Sequence, residues 1–205
     1  MDIRRNPWPD PSLPTLGLET LKPLSLKASN GEVTFLDVPE FRMYVCGITP
    51  YDATHLGHAA TYLTFDLINR YQRLRGSQVS FVENITDVDE PLLERATRDQ
   101  LSWQSLAERE TDLFCTDMSA LRIFSPDFFV PVTQVMELVD QAISAMNERG
   151  FVYSLGNDLY FRVSPFLSEL PLPVDEATSI FAERGGDPAR EGKEHPLDAV
   201  LWIAH

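Results

Sequence analysis

Between Arg42 and Val82 the hydrophobic period changes twice, and no other stretch restricts the fold as tightly. Arg42-Met-Tyr-Val-Cys-Gly47 is a short apolar, β-rich run ended by glycine, the pattern of a buried strand. From Gly57 to Arg75, Ala60, Leu63, Thr64, Leu67, Ile68, Tyr71 and Leu74 recur at spacings of three to four with no proline between them, which predicts an amphipathic helix. Gly76 is placed to end that helix as its C′ residue. Gln78-Val-Ser-Phe-Val82 then reads as a second strand. Strand, loop, helix and strand within about forty residues make a βαβ crossover, and two parallel strands joined this way belong to a right-handed, doubly wound sheet.

The flanking segments are organised differently. The first forty residues carry Pro7, Pro9, Pro11, Pro14 and Pro23, so they read as an extended strap with one short strand around Glu32 to Leu36. After the βαβ unit, Asp87 or Asp89 is suited to cap a helix through Ala96 and Ser102 a longer one towards Leu121. A third helix is expected from Val132 to Arg149, ended by Gly150. Gly156-Asn157 between two β-rich runs has the composition of a tight hairpin turn. From Ser164 onwards, repeated Pro and Gly leave mostly loop around one short helix near Asp175 to Glu183. The division expected is a strap at 1–41, the first half of an α/β sheet domain at 42–122, and a helical, hairpin-bearing insertion with a loop-rich tail at 123–205.

Composition narrows the function. With 17 Lys+Arg against 31 Asp+Glu the formal charge is −14, which repels phosphate backbones and disfavours nucleic acid as a partner. Cys46 and Cys115, the two cysteines, make no framework of bridges, and a reducing cytoplasm is expected. The N-terminus has basic residues with no apolar stretch behind them, and no window is long enough to span a membrane.

The segment Cys46-Gly-Ile-Thr-Pro-Tyr-Asp-Ala-Thr-His-Leu-Gly-His58 lies between the first strand and the long helix, at the carboxyl end of the strand, where open α/β sheets bind ligands. His55 and His58 flank Leu-Gly at the helix N-terminus, where backbone N–H groups and the helix dipole favour a phosphate and two imidazoles add donors for developing charge. Gly57 leaves room for a flat ring against the backbone. The spacing also admits a plainer reading, in which one histidine caps the helix and the other packs in the core. Asp87, Asp89 and Glu90 read as residues of a first helical turn rather than as a metal cluster. Cys115 reads as packing on a helix, and His195 and His205 as surface residues of the tail.

Taken together, these residues resemble the signature of class I aminoacyl-tRNA synthetases, whose HIGH motif appears here as His55-Leu56-Gly57-His58. Within that class, Tyr44-Val-Cys-Gly-Ile-Thr-Pro-Tyr-Asp and Val82-Glu-Asn-Ile-Thr-Asp-Val-Asp89 are similar to cysteinyl-tRNA synthetase and to the mycothiol-pathway ligases that join cysteine to glucosaminyl-inositol. Glu183-Arg184-Gly185-Gly186-Asp187-Pro188 looks like the ERGGDP motif of the ligases, and His58-Ala-Ala-Thr-Tyr-Leu-Thr-Phe-Asp and His195-Pro-Leu-Asp-Ala-Val-Leu-Trp also sit closer to them. The resemblance implies a Rossmann-like α/β fold and ATP-dependent amide formation through cysteinyl-adenylate, with ATP (as its magnesium complex), L-cysteine and glucosaminyl-inositol as substrates. The alternative it leaves is a cysteinyl-tRNA synthetase fragment, and a third reading is a non-catalytic piece. For the intact family enzyme the resemblance implies a monomer.

The resemblance also implies roles for residues. Cys46, Gly47, Ile48 and Thr49 would line the cysteine and the adenylate, Thr61 would reach the same ligand from the helix, and Asn84, Ile85 and Thr86 would approach its amino acid part. His55 and His58 would act on the phosphates, and Cys46 would be one ligand of a zinc ion that selects thiolate over hydroxyl. The segments that supply the other zinc ligands and the KMSKS loop in the family have no counterpart before His205, so the expectation is half of a catalytic domain.

Overall fold

The computed structural model describes residues 2–12, 21–27 and 31–204; Pro14 and His205 lie outside them. The chain forms two compact units, 1–26 with 33–136, and 27–32 with 137–205.

In the first unit, β1 (Leu24–Lys27) pairs with β2 (Val33–Leu36) in a small sheet of their own. β3 (Glu40–Ile48), α1 (Leu56–Leu74) and β4 (Gln78–Ile85) form the βαβ unit, and Gly76 follows α1 with φ +90°. α2 (Glu90–Asp99) and α3 (Trp103–Ala120), capped by Asp89 and Ser102, lead to β5 (Phe128–Pro131). The sheet order is β3-β4-β5 with both pairings parallel. β5 is a strand that sequence patterning did not place. The α-helix expected from Val132 begins at Met136 instead (α4, Met136–Glu148), after a single 3-10 turn at Val132–Val135. The buried Asp87 carboxylate is a reason for that turn, since it accepts from the Thr133 N–H (3.0 Å) and hydroxyl and so holds the end of β4 to the chain after β5.

Trp8 of the strap is buried: its ring packs edge-on to Phe114 and Phe129, its Nε1 donates to the Ile123 carbonyl at 2.9 Å, and Arg4 bridges the backbone of Phe129. Trp8, Phe114, Ile123 and Phe129 join Val45, Ile48, Tyr62, Phe81, Ile85, Cys115 and Met118 in one core.

α1 turns most of the expected stripe outward; of its members, Ile68 packs against the core and Tyr71 is half-buried. Leu56, Leu63, Leu67 and Leu74 are exposed, Leu56 at 88%, while the buried positions are Tyr62, Asp66, Asn69 and Gln72. Most of their polar atoms are bonded: Asp66 accepts from the Phe124 N–H (2.9 Å) and Arg70 Nε (2.5 Å), Asn69 Oδ1 accepts from Arg73 Nε (2.7 Å) and Gln72 Nε2 donates to the Leu36 carbonyl (3.4 Å), while Asn69 Nδ2 is left without a partner. Periodicity located the helix, and hydrogen bonding decided its face.

In the second unit, β6 (Val152–Leu155) and β7 (Asp158–Phe161) make the hairpin around Gly156, whose φ is +63°. α5 (Val174–Glu183) is the short helix of the tail, and β8 (Ala199–Trp202), antiparallel to β7, is a strand within what reads as loop.

Candidate active site at the end of a βα unit

His55 is the N-cap of α1. Its Nδ1 accepts from the Gly57 N–H at 3.0 Å, and His58 Nδ1 accepts from the His55 N–H at 3.3 Å, so two imidazoles make the reciprocal capping box that Ser and Glu usually build. Their rings stack with centroids 4.1 Å apart. The capping half of the plainer reading therefore holds for both residues, but neither histidine is in the core. A nitrogen that accepts from an N–H carries no proton, so each neutral ring presents Nε2–H as its free donor. Burial first and the neighbouring His55 imidazole second lower the His58 pKa and favour that neutral form. Glycine at position 57 leaves the His55 ring its capping position, since a Cβ there would meet that ring at 2.7 Å.

Cys46 is exposed near the carboxyl end of β3, so it is not the small buried hydrophobe that a lone strand cysteine usually is. Cys115 is that residue, buried on α3, and burial pushes its thiol up to about 11. Beside Cys46 the β3–β4 register shifts between Val45 and Ile48. There the Gly47 N–H donates to Asn84 Oδ1 at 2.8 Å, the Tyr44 hydroxyl donates to the same oxygen at 2.9 Å, and Asn84 Nδ2 donates to Thr86 Oγ1 at 3.3 Å. Past the shift, pairing resumes with the Thr86 N–H on the Ile48 carbonyl at 2.8 Å. Tyr44 shares the Cys46 face of β3 and remains largely exposed; burial of its hydroxyl and the nearby thiolate raise its pKa.

The opposite face of the sheet carries a group the sequence analysis missed. Glu83 is 1% exposed, neither carboxylate oxygen has a hydrogen-bond partner, and burial raises its pKa to about 8. Burial and then Glu83 raise the pKa of the Tyr62 hydroxyl, which lies 3.4 Å from the Cys46 carbonyl. The clue was available, since alternation from Phe81 points Glu83 and Ile85 inward once the strand is extended past Val82.

The remaining expected site residues are dispersed in role. Ile48 and Ile85 have buried side chains and can offer a ligand only their main chain. Thr49 is half-buried beyond the end of β3. Thr61 is exposed and its hydroxyl donates back to the Gly57 carbonyl at 3.1 Å, an ordinary helical bond. A cavity of about 380 Å³ opens beside His55, walled by Leu56, Ala59, Met118 and Leu121, with Thr54 hydrogen-bonded to Asp117 at its polar side.

Glu183–Pro188 belongs to the second unit, and Cys46 and the two histidines belong to the first. Gly185 ends α5 at φ +85°, and a Cβ on Gly186 would meet the Phe181 ring at 2.5 Å. Asp187 accepts from the buried Tyr160 hydroxyl (2.5 Å) and from Lys193 Nζ (2.8 Å); burial opposes ionisation, and these two bonds overcome it, holding the carboxyl below its usual range. His195 is half-buried, its Nδ1 accepting from the Leu197 N–H at 3.1 Å.

Cys46 is a chemically suitable zinc donor, but among the described residues no group of three or more His, Cys, Asp or Glu is placed to hold a metal ion. The described residues do not make a zinc site by themselves. Among the described residues no helix is long and apolar enough to cross a membrane.

Comparison with known proteins agrees with this architecture. Residues 33–205 match the model of the tRNA synthetases class I (C) catalytic domain. The chain is 48% identical over 210 residues to the L-cysteine:1D-myo-inositol 2-amino-2-deoxy-alpha-D-glucopyranoside ligase of Frankia casuarinae, covering 98% of this chain and 44% of that protein. It is 49% identical to the ligase of the same name from Thermomonospora curvata, covering 96% of this chain and 50% of the relative. The chain thus spans about half the length of the curated relatives it matches. Mycobacterium tuberculosis methionyl-tRNA synthetase in complex with methionyl-adenylate superposes with a TM-score of 0.59 over 80% of this chain and 44% of that one, at 19% identity, which speaks to fold. Parallel strands ending in a histidine-capped helix, and a family match over most of the length, lead to one conclusion: the chain belongs to the class I tRNA synthetase (C) catalytic-domain family.

Proposed function

We propose that this chain is the adenylate-forming part of a ligase that uses ATP to join L-cysteine to the amine of glucosaminyl-inositol. The observation that carries this reading is an exposed thiol at the end of β3 in the same βα unit as two imidazoles with free Nε2–H donors at the N-terminus of α1. The cysteine carboxylate attacks the α-phosphorus of ATP, forming cysteinyl-adenylate and releasing pyrophosphate. His55 and His58 donate to phosphate oxygens as charge builds there, aided by the helix dipole. The sugar amine then attacks the acyl carbonyl, an amide forms and AMP leaves, so no protein nucleophile is required. ATP enters as its magnesium complex. Cys46 recognises the substrate thiol and would supply one thiolate to a zinc ion; among the described residues no further ligands are gathered beside it, and no step here depends on it.

Two observations support the sugar as acceptor over tRNA. The names of the relatives in Frankia and Thermomonospora state that acceptor, and a charge of −14 opposes binding of a polyanion. The test supplies ATP and cysteine with either glucosaminyl-inositol or tRNA and follows the acylated product by mass spectrometry. Cysteinyl-glucosaminyl-inositol with stoichiometric AMP is the expected result; cysteinylated tRNA instead would overturn the reading.

A further inference from the structure

Asn84 stands where the resemblance puts a contact to the amino acid part of the ligand, yet its side chain is mostly committed to the protein. The orientation of its amide is fixed by chemistry: the Gly47 N–H can only donate, so the atom 2.8 Å away is the oxygen. That oxygen also receives the Tyr44 hydroxyl at 2.9 Å, which fills both of its lone pairs. One of the two amide hydrogens goes to Thr86 Oγ1. A ligand is left a single N–H donor and no acceptor.

The location matters as much as the count. The β3–β4 ladder breaks between Val45 and Ile48, and Cys46 and Gly47 occupy the break. The Asn84 side chain takes the Gly47 N–H at that point and also holds the ring of Tyr44, the next residue on the Cys46 face of β3.

We propose that Asn84 is a positioning residue for the Cys46 thiol, pinning the break in β3 through its carboxamide oxygen, and that its contact to a ligand is limited to one N–H on an oxygen of the carboxyl or phosphate group. It does not receive the ligand's ammonium group. This rests on reading Cys46 as the residue that recognises the thiol, but its test needs neither ATP nor cysteine, so failure of the ligase reading and failure of this one are separable.

The experiment uses the chain as it is and two readouts: amide hydrogen exchange at Gly47, and the pH profile of iodoacetamide alkylation at Cys46, with peptide mapping to separate it from buried Cys115. Asn84→Asp keeps an oxygen for both Gly47 and Tyr44, and Asn84→Ala removes it. The expected result is Gly47 exchange on the order of tenfold faster in Asn84→Ala with a displaced alkylation profile, and exchange within about twofold of the parent in Asn84→Asp. If Asn84→Ala does not fold, Asn84→Asp decides alone, since a protected Gly47 supports the proposal and an unprotected one overturns it. Parent-like exchange and alkylation in a folded Asn84→Ala would also overturn it.

Discussion

A Cβ built on Gly47 falls 1.6 Å from the carbonyl oxygen of Asn84, closer than any side chain can be accommodated. The obstacle is the backbone of the neighbouring strand, which cannot swing aside as a flexible side chain can. Gly47→Ala is therefore expected to destabilise the first unit by about 3 kcal/mol, the upper end for overpacking, and to disturb the strand end that presents Cys46. Urea denaturation checks the first effect and the alkylation rate of Cys46 the second.

Glu83 makes stability fall as pH rises. Its folded pKa of about 8 lies above the ordinary carboxyl value of 4.5, so between these limits the unfolded chain releases a proton that the folded chain keeps. The stabilising contribution is complete below about pH 4.5 and gone above about pH 8, at a slope approaching ~1.4 kcal/mol per pH unit. Denaturation between pH 5 and pH 8 is expected to show this decline in the parent and a flatter profile in Glu83→Gln. Parallel profiles would remove Glu83 as the source.

The histidines allow capping and chemistry to be separated. Asn is a good N-cap and Gln is a good partner at the third helical position, so His55→Asn and His58→Gln should each leave folding stability within about 0.5 kcal/mol of the parent. Neither replacement restores an imidazole donor, and each is expected to lower adenylate formation by about a hundredfold or more. Thermal melts and initial rates together test this. A large loss of stability with activity retained would make the box a structural device only.

Asp187 gives the Glu183–Pro188 motif a structural role. Its carboxylate faces Lys193, whose side chain is 2% exposed, and Tyr160, which is fully buried. Asp187→Ala is expected to cost about 2 to 3 kcal/mol in the second unit. The full cost of orphaning a buried ion is not reached because Asp187 is partly exposed and Lys193 keeps carbonyl acceptors on Asp187 and Pro196. Asp187→Asn should cost less, and unchanged thermal stability in both variants would contradict this role.

Features written in local chemistry were legible in the sequence. The β3-α1-β4 order, the Ser102 and Asp89 caps and the Gly156 turn each follow from a few adjacent residues. Features set by long-range contacts were not. β5 is four residues ending in proline and becomes a strand only by pairing with β4, and β8 only by pairing with β7. The buried face of α1 carries Asp66, Asn69 and Gln72, which pattern alone assigns to solvent, because their bonding partners lie tens of residues away or one turn along the helix. At the candidate site, the residue types at the end of β3 and the start of α1 were readable. The Asn84 clamp on Gly47 was not, because it depends on where the register breaks.

The central claim, that this chain activates cysteine on ATP, is tested most directly by cysteine-dependent exchange of labelled pyrophosphate into ATP, with serine as the competing amino acid and His55→Asn as control. Exchange is expected with cysteine, little or none with serine, and its loss in His55→Asn. Exchange that is absent with cysteine, equal with serine, or undiminished in His55→Asn would contradict it.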